Sequence, residues 1–132
     1  MKRLLDTDIC IAIINRDDRV RSHLERHAPS ALRMSAVTLA ELRVGVARST
    51  RPKRSATNLN ALLSKVGVVP FDEAASARYG ELRAFLERRG SPIGGLDTLI
   101  AAHALSMRWT LVTHNVREFG RVRGLMVDDW LM

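Results

Sequence analysis

One compact domain over residues 1–132 is the expectation for a chain of this length, and 46% hydrophobic with 27% charged residues excludes a disordered polymer. No apolar run reaches the ~18 residues of a membrane span, the start MKRLLDTD lacks a signal peptide's apolar stretch, and the lone Cys10 excludes an internal disulfide or thiolate metal site. These features predict a cytoplasmic protein with no membrane partner, and a net charge of +7, with eighteen of twenty-one basic residues arginine, predicts a polyanionic one. The excess is uneven: residues 1–70 carry all of it, and residues 71–132 hold eight basic and eight acidic side chains.

Along the chain, short apolar runs alternate with helical patterns. Arg3-Leu4-Leu5 predicts a buried strand ending at Asp6, and Ile9 to Asn15 a short apolar helix. Asp17 to His27 continues as an amphipathic helix with Val20 and Leu24 inward and His23 and His27 on its polar face. Leu32 to Met34 suits a second strand. Thr38 then stands as N-cap with Glu41 three residues on, a capping box opening a helix from Leu39 to about Ala47. The basic loop from Arg48 to Arg54 leads into a helix with Pro52 in its first turn and Leu59, Leu62, Leu63 and Val66 at core spacing. Val68-Val69-Pro70 predicts a third strand, and Asp72 starts a long helix through Arg89 that Gly90 stops. A loop over 91–96 precedes an apolar helix over 97–107. Thr110 to Thr113 is the clearest strand, and Met126-Val127 a short edge strand. This alternation predicts an α/β fold, a parallel sheet covered by helices on both faces, with ligands beyond the carboxyl ends of its strands.

Four acids stand at those ends beside apolar segments: Asp6, Glu41, Asp97, and Glu118 with Asn115 just past the strand ending at Thr113. Parallel strands would gather them at one edge, where carboxylates ~4 Å apart repel by about 4 kcal/mol at an effective dielectric of 20. A hard divalent cation relieves that repulsion, and oxygen-only donors select Mg²⁺ or Mn²⁺ over zinc. Taken singly, Asp6, Glu41 and Asp97 read equally as helix caps or first-turn acids, and Asp8 as a cap or a member of the same acidic group. Crowding predicts pKa values above the ordinary range for Asp6, Glu41 and Asp97 in the metal-free protein.

The segments LLDTDICIAII, TLAELRVGVARS, IGGLDTLIAAHAL and LVTHNVREFGRVRGLMVDDWL, in this order and spacing, resemble the PIN-domain ribonuclease toxins of the VapC type over nearly the whole chain. The resemblance implies a PIN-like fold with four or five short parallel strands. It implies a Mg²⁺-dependent endoribonuclease of a type II toxin–antitoxin module, with water as nucleophile, leaving a 5′-phosphate and a 3′-hydroxyl on its RNA, tRNA among the candidates. The two metal-binding acids of the family fall on Asp6 and Asp97, its glutamate on Glu41, and its variable fourth position on Asn115 and Glu118. A homodimer and neutralisation by a VapB-type antitoxin are implied too. The chain departs from the pattern at Gly94-Gly95, where Gly-Pro commonly precedes the Leu-Asp pair, which loosens the loop leading to Asp97.

Other residues take supporting roles. Thr7, Thr38 and Thr113 neighbour the acids and suit orienting them. His103 reads as a hydrogen-bonded core residue, whereas His114 adjoins Asn115 at the expected site. Arg48, Arg51, Lys53 and Arg54 suit phosphate contacts or a solvated loop. Six aromatic residues are too few for a broad base-stacking platform, which favours structured RNA. Ile9 to Ile14 with Val44 and Val46 exceed what one small sheet covers; core burial takes most of this surface, and the resemblance implies that the remainder forms a homodimer face and a groove for an antitoxin's C-terminal segment. Two other classes compete. A phosphoacceptor receiver domain shares an acidic Mg²⁺ site but needs a late lysine, and Lys65 is the last lysine here. A non-catalytic RNA-binding module needs the basic residues alone.

Overall fold

Pairing over two to four residues holds strands together weakly. Here two adjacent strands, Arg3–Leu5 and Thr110–Val112, are secured by sending alternate side chains into separate cores on the two sides of the sheet. The computed structural model describes residues 2–132. In chain order its elements are β1 (Arg3–Leu5), α1 (Thr7–Ile14), α2 (Asp18–Glu25), a 3₁₀ turn (Pro29–Ala31), β2 (Leu32–Ser35), α3 (Ala36–Arg48), α4 (Pro52–Leu63), β3 (Gly67–Val69), α5 (Glu73–Arg88), α6 (Gly95–Met107), β4 (Thr110–Val112), α7 (Val116–Phe119) and β5 (Val127–Asp128). The strands form one parallel sheet in the order β3-β2-β1-β4-β5.

Leu5 and Val112 enter a core built with α1 to α4, while Leu4 and Leu111, one residue away, enter the core under α5, α6 and α7. All four are fully buried, and each such side chain stabilises the fold by about 2 kcal/mol. Helices therefore cover both faces, as the alternating pattern requires. Among the described residues no helix is long and apolar enough to cross a membrane.

Several boundaries differ from expectation for identifiable reasons. β2 runs on to Ser35, whose hydroxyl accepts from the Val37 amide at 3.1 Å, so Ser35 and not Thr38 caps α3. Thr38 is buried inside the first turn with its hydroxyl unpartnered, and Glu41 lies in the second turn, outside any capping box. β3 ends before Pro70, which has no N–H to give the ladder. α7 and the 3₁₀ turn are too short to show a period and were not expected. The cap at Asp72 is as expected, its carboxylate accepting from the Ala75 amide at 2.9 Å, and Gly90 sits past the end of α5 at φ +66°. His103 is fully buried with Nδ1 2.8 Å from the Ser35 hydroxyl, a core residue as read. His23 and His27 do not simply face solvent. Their rings lie 5.1 and 5.2 Å from that of the buried Trp130, His23 stacked parallel to it.

Candidate active site

Strand order reverses beside β1: the chain builds outward to β2 and β3, then returns to the other side of β1 with β4. The loops leaving β1 and β4 diverge there, which in parallel sheets opens a cleft at the carboxyl edge. Register pairs Leu5 with Val112, so the next residues, Asp6 and Thr113, become neighbours across a sequence gap of 107.

Asp6 is only 6% exposed. Its Oδ1 accepts from the Thr7 amide at 2.8 Å and its Oδ2 from the Thr113 hydroxyl at 2.7 Å. It is thus the N-cap of α1 and a member of the site at once. Thr7 turns its own hydroxyl to Glu41, donating to Oε1 at 2.8 Å, which ties the second turn of α3 to the end of β1. Asp97 lies in the first turn of α6, a helix whose N-cap, Gly94, offers no side chain. Glu118 reaches back to this turn, accepting from the Gly94 amide at 3.3 Å with Oε1 and from Asn115 Nδ2 at 2.7 Å with Oε2. The Asn115 amide donates to the Thr113 hydroxyl at 3.0 Å, so Thr113 bridges the Asp6 and Glu118 sides.

The charges respond differently. Burial, more than neighbouring charge, pushes Asp6 up to about 6, with Asp8 and Glu41 adding to it against the hydrogen bonds from Thr113 and Thr7. Asp97 rises to about 7, again chiefly by burial, then by the charge of Asp6, a hydrogen bond to Glu118, and the charges of Glu118 and Glu41. Glu118 moves the other way, held below the ordinary glutamate range by Asn115 first, then by the Gly94 amide, the proton of Asp97 and the nearby Arg121. Sequence reasoning expected raised acids from crowding; at Asp6 and Asp97 desolvation is the larger cause.

All five expected residues, Asp6, Glu41, Asp97, Asn115 and Glu118, are brought to this edge. Thr7 and Thr113 orient acids as anticipated, and Thr38 does not. Asp8 caps nothing: its Oδ2 accepts from the His114 amide at 2.9 Å, and its buried Oδ1 has no partner. His114 turns its ring outward to Asp129, 3.0 Å away, and makes no hydrogen bond to the four acids. The Gly94 amide and Arg121 were missed in the sequence, because neither a glycine's N–H nor one arginine among eighteen carries a signal.

Among the described residues, no three His, Cys, Asp or Glu side chains already close around one point. The donor set nevertheless fits a hard divalent cation. It is oxygen-only, its carboxylates repel one another, and an unpartnered buried carboxylate oxygen of Asp8 adjoins it. Asp6 and Asp97, which hold their protons most firmly, are the residues that would bind such an ion in exchange for those protons.

Residues 3–125 match the family described as PIN domain. The chain is 40% identical over 131 residues to the tRNA(fMet)-specific endonuclease VapC of Shigella flexneri, covering 98% of both. It is 38% identical over 129 residues to ribonuclease VapC2 of Rickettsia felis, covering 96% of both. The fold superposes on the structure of DNA-bound VapBC from Salmonella typhimurium with a TM-score of 0.94 at 36% identity, over 98% of each chain. With a family match over residues 3–125 and similarity along its whole length, this chain belongs to the PIN-domain family, among its VapC ribonuclease toxins.

Proposed function

We propose that the chain is a divalent-metal-dependent endoribonuclease, the toxin of a toxin–antitoxin pair, that hydrolyses RNA phosphodiester bonds at the Asp6–Asp97 edge. The observation that carries this reading is the pair of acids at the switch point of the sheet, Asp6 buried and Asp97 half-buried, both inclined to keep a proton until a cation replaces it.

Thr113 and the Thr7 amide fix both oxygens of Asp6 so that the carboxylate does not swing when its proton leaves. Thr7 likewise aims Glu41 through Oε1, leaving Oε2 to orient the attacking water and accept its proton. Glu118 and Asn115 hold each other and the start of α6, keeping Asp97 in place. When bound, Mg²⁺ or Mn²⁺ supplies positive charge beside the scissile phosphate and a lowered pKa for the attacking water. Water adds to phosphorus as the bond to O3′ breaks, leaving a 5′-phosphate and a 3′-hydroxyl that takes its proton from solvent.

The name of the Shigella flexneri relative supports a tRNA, and initiator tRNA in particular, as substrate. The VapBC complexes among similar structures support a VapB-type antitoxin as partner. Ile11 on α1 and Val44 on α3, 46% and 47% exposed on packed helices, support a homodimer or antitoxin face. Acting on such RNA places the protein in the cytoplasm.

Incubating the purified chain with tRNA and Mg²⁺, with and without EDTA, tests the reading. Cleavage that EDTA abolishes and whose products accept ligation at a 5′-phosphate is the expected result. RNA binding without cleavage in Mg²⁺ or Mn²⁺ would make the chain a non-catalytic RNA-binding module.

A further inference from the structure

Away from the carboxylates, two adjoining concavities of about 500 and 560 Å³ run along α5 and share Phe85 and Arg123. Arg88 lines the first, Arg89 and Arg121 the second. All four arginines are exposed, and among the described residues none forms an ion pair. Glu81 lines the first concavity as well, but Arg78 beside it at 3.6 Å offsets its charge, and Glu87 pairs with Arg83 at 3.5 Å outside both. Arg89 lies over the Phe85 ring at 5.3 Å, which keeps its guanidinium on the groove wall. Four like charges around one concave strip repel unless a polyanion lies between them, and guanidinium forks match phosphate oxygens.

The strip also leads to the site. Ser91 lines it, and Arg121 donates to the Pro92 carbonyl at 3.1 Å. Two residues further on, the Gly94 amide donates to Glu118. The basic loop of Arg48, Arg51, Lys53 and Arg54 differs: it is exposed and lines none of the concavities described. We propose that the strip of Arg88, Arg89, Arg121 and Arg123 carries the ribose–phosphate backbone of the RNA beside the scissile phosphate, and that the Arg48–Arg54 loop does not. Such contacts position the strand without reading its bases. The identity of the polyanion rests on the endoribonuclease reading above.

Anisotropy of a labelled RNA hairpin with single-stranded flanks, bound in EDTA to prevent cleavage, tests this across a salt series. Replacing Arg88, Arg89 and Arg123 together by Gln is expected to weaken binding about tenfold or more and to flatten the log–log salt slope by about 2, because each lost phosphate contact removes ~0.7–0.9. Arg121 stays intact because it neighbours Glu118. The corresponding triple Lys variant keeps the charge and is expected to keep the slope, which separates charge from damage to the fold. Should the triple Gln variant fail to fold, Arg123→Gln alone is expected to lower the slope by about 0.7. An unchanged slope, a slope lost only in an Arg51/Lys53/Arg54→Gln variant, wild-type failure to bind RNA, or tighter binding of an acidic peptide than of RNA would each overturn the proposal. If the strip binds RNA but Mg²⁺ elicits no cleavage, the catalytic reading fails and this one stands.

Discussion

Asp6 and Glu118 belong to one acidic cluster yet hold their charge on opposite terms. Asp6, almost fully buried, is pushed up to about 6, and Asp97 beside it to about 7. Glu118, less enclosed and gripped by Asn115 and the Gly94 amide, is held low. Two hydrogen bonds reach Asp6 as well, from Thr7 and Thr113, and do not outweigh its loss of water. The difference teaches that burial sorts the acids into two kinds. Asp6 and Asp97 want a proton or a cation, whereas Glu118 is already satisfied by the protein and acts as a brace.

If that division is right, the two sides respond unequally to mutation. Asp6→Asn and Asp97→Asn are each expected to lower RNA cleavage on the order of a thousandfold, since losing several kcal/mol of metal-derived stabilisation costs tenfold per ~1.4 kcal/mol. Glu118→Gln keeps a brace of the same shape and should cost far less. Initial rates at saturating Mg²⁺ check this, and equal losses on the two sides would erase the distinction.

Metal affinity sharpens the comparison without reference to catalysis. A cation at a hundred times its Kd stabilises the folded state by about 2.7 kcal/mol. Thermal melts with and without Mg²⁺ should show such a rise for wild type and Glu118→Gln, and little for Asp97→Asn. A full rise in Asp97→Asn would remove Asp97 from the metal site.

The pH dependence follows with its sign. An acid whose folded pKa is raised binds more protons folded than unfolded, so its contribution is present below the ordinary value of 3.8 and is lost as pH rises through about 6 for Asp6 and about 7 for Asp97. Metal-free protein should therefore be less stable at pH 8 than at pH 5, by on the order of 2 kcal/mol, with the partly exposed Asp97 discounted for screening. Asp6→Asn should flatten much of that fall. Glu118, with its lowered pKa, contributes with the opposite sign and loses its share only in acid. Urea denaturation in EDTA at the two pH values is the measurement, and a stability that rises toward pH 8 would contradict the burial account.

The smallest effect concerns the loop joining the two sides. Gly95 is the first residue of α6, its amide donates no hydrogen bond, and a Cβ there would meet nothing within 4 Å. Gly94 before it, at φ −53° and ψ 148°, already has the extended backbone that precedes a proline. Gly95→Pro should raise stability by about 0.4–1 kcal/mol through the unfolded chain alone. A loss of stability in the same melts would show that the Asp97 turn needs the freedom it has.

How much of this was legible varies by residue. Asp6 and Asp97 stood out because each adjoins an apolar run where a charge is unwelcome. Glu41 was found for a partly wrong reason: Ser35 and Thr38 are equally good capping residues on paper, and only the length of β2 selects Ser35. His23 and His27 looked solvent-facing until Trp130, more than a hundred positions later, packed against them. The arginine strip was hidden by arithmetic, since residues 71–132 sum to no net charge while the fold gathers Arg88, Arg89, Arg121 and Arg123 along two adjoining concavities.

By itself the sequence determined the alternation of elements, the parallel sheet that follows from it, and the acids at strand and helix ends, because periodicity and capping are local and need only neighbours along the chain. Tertiary structure alone decided that β4 lies against β1, that Thr113 therefore meets Asp6, and that Asp6 and Asp97 lose their water while Glu118 keeps its partners. Strand order and desolvation depend on segments distant in sequence, and a carboxylate's charge is set by what surrounds it in space.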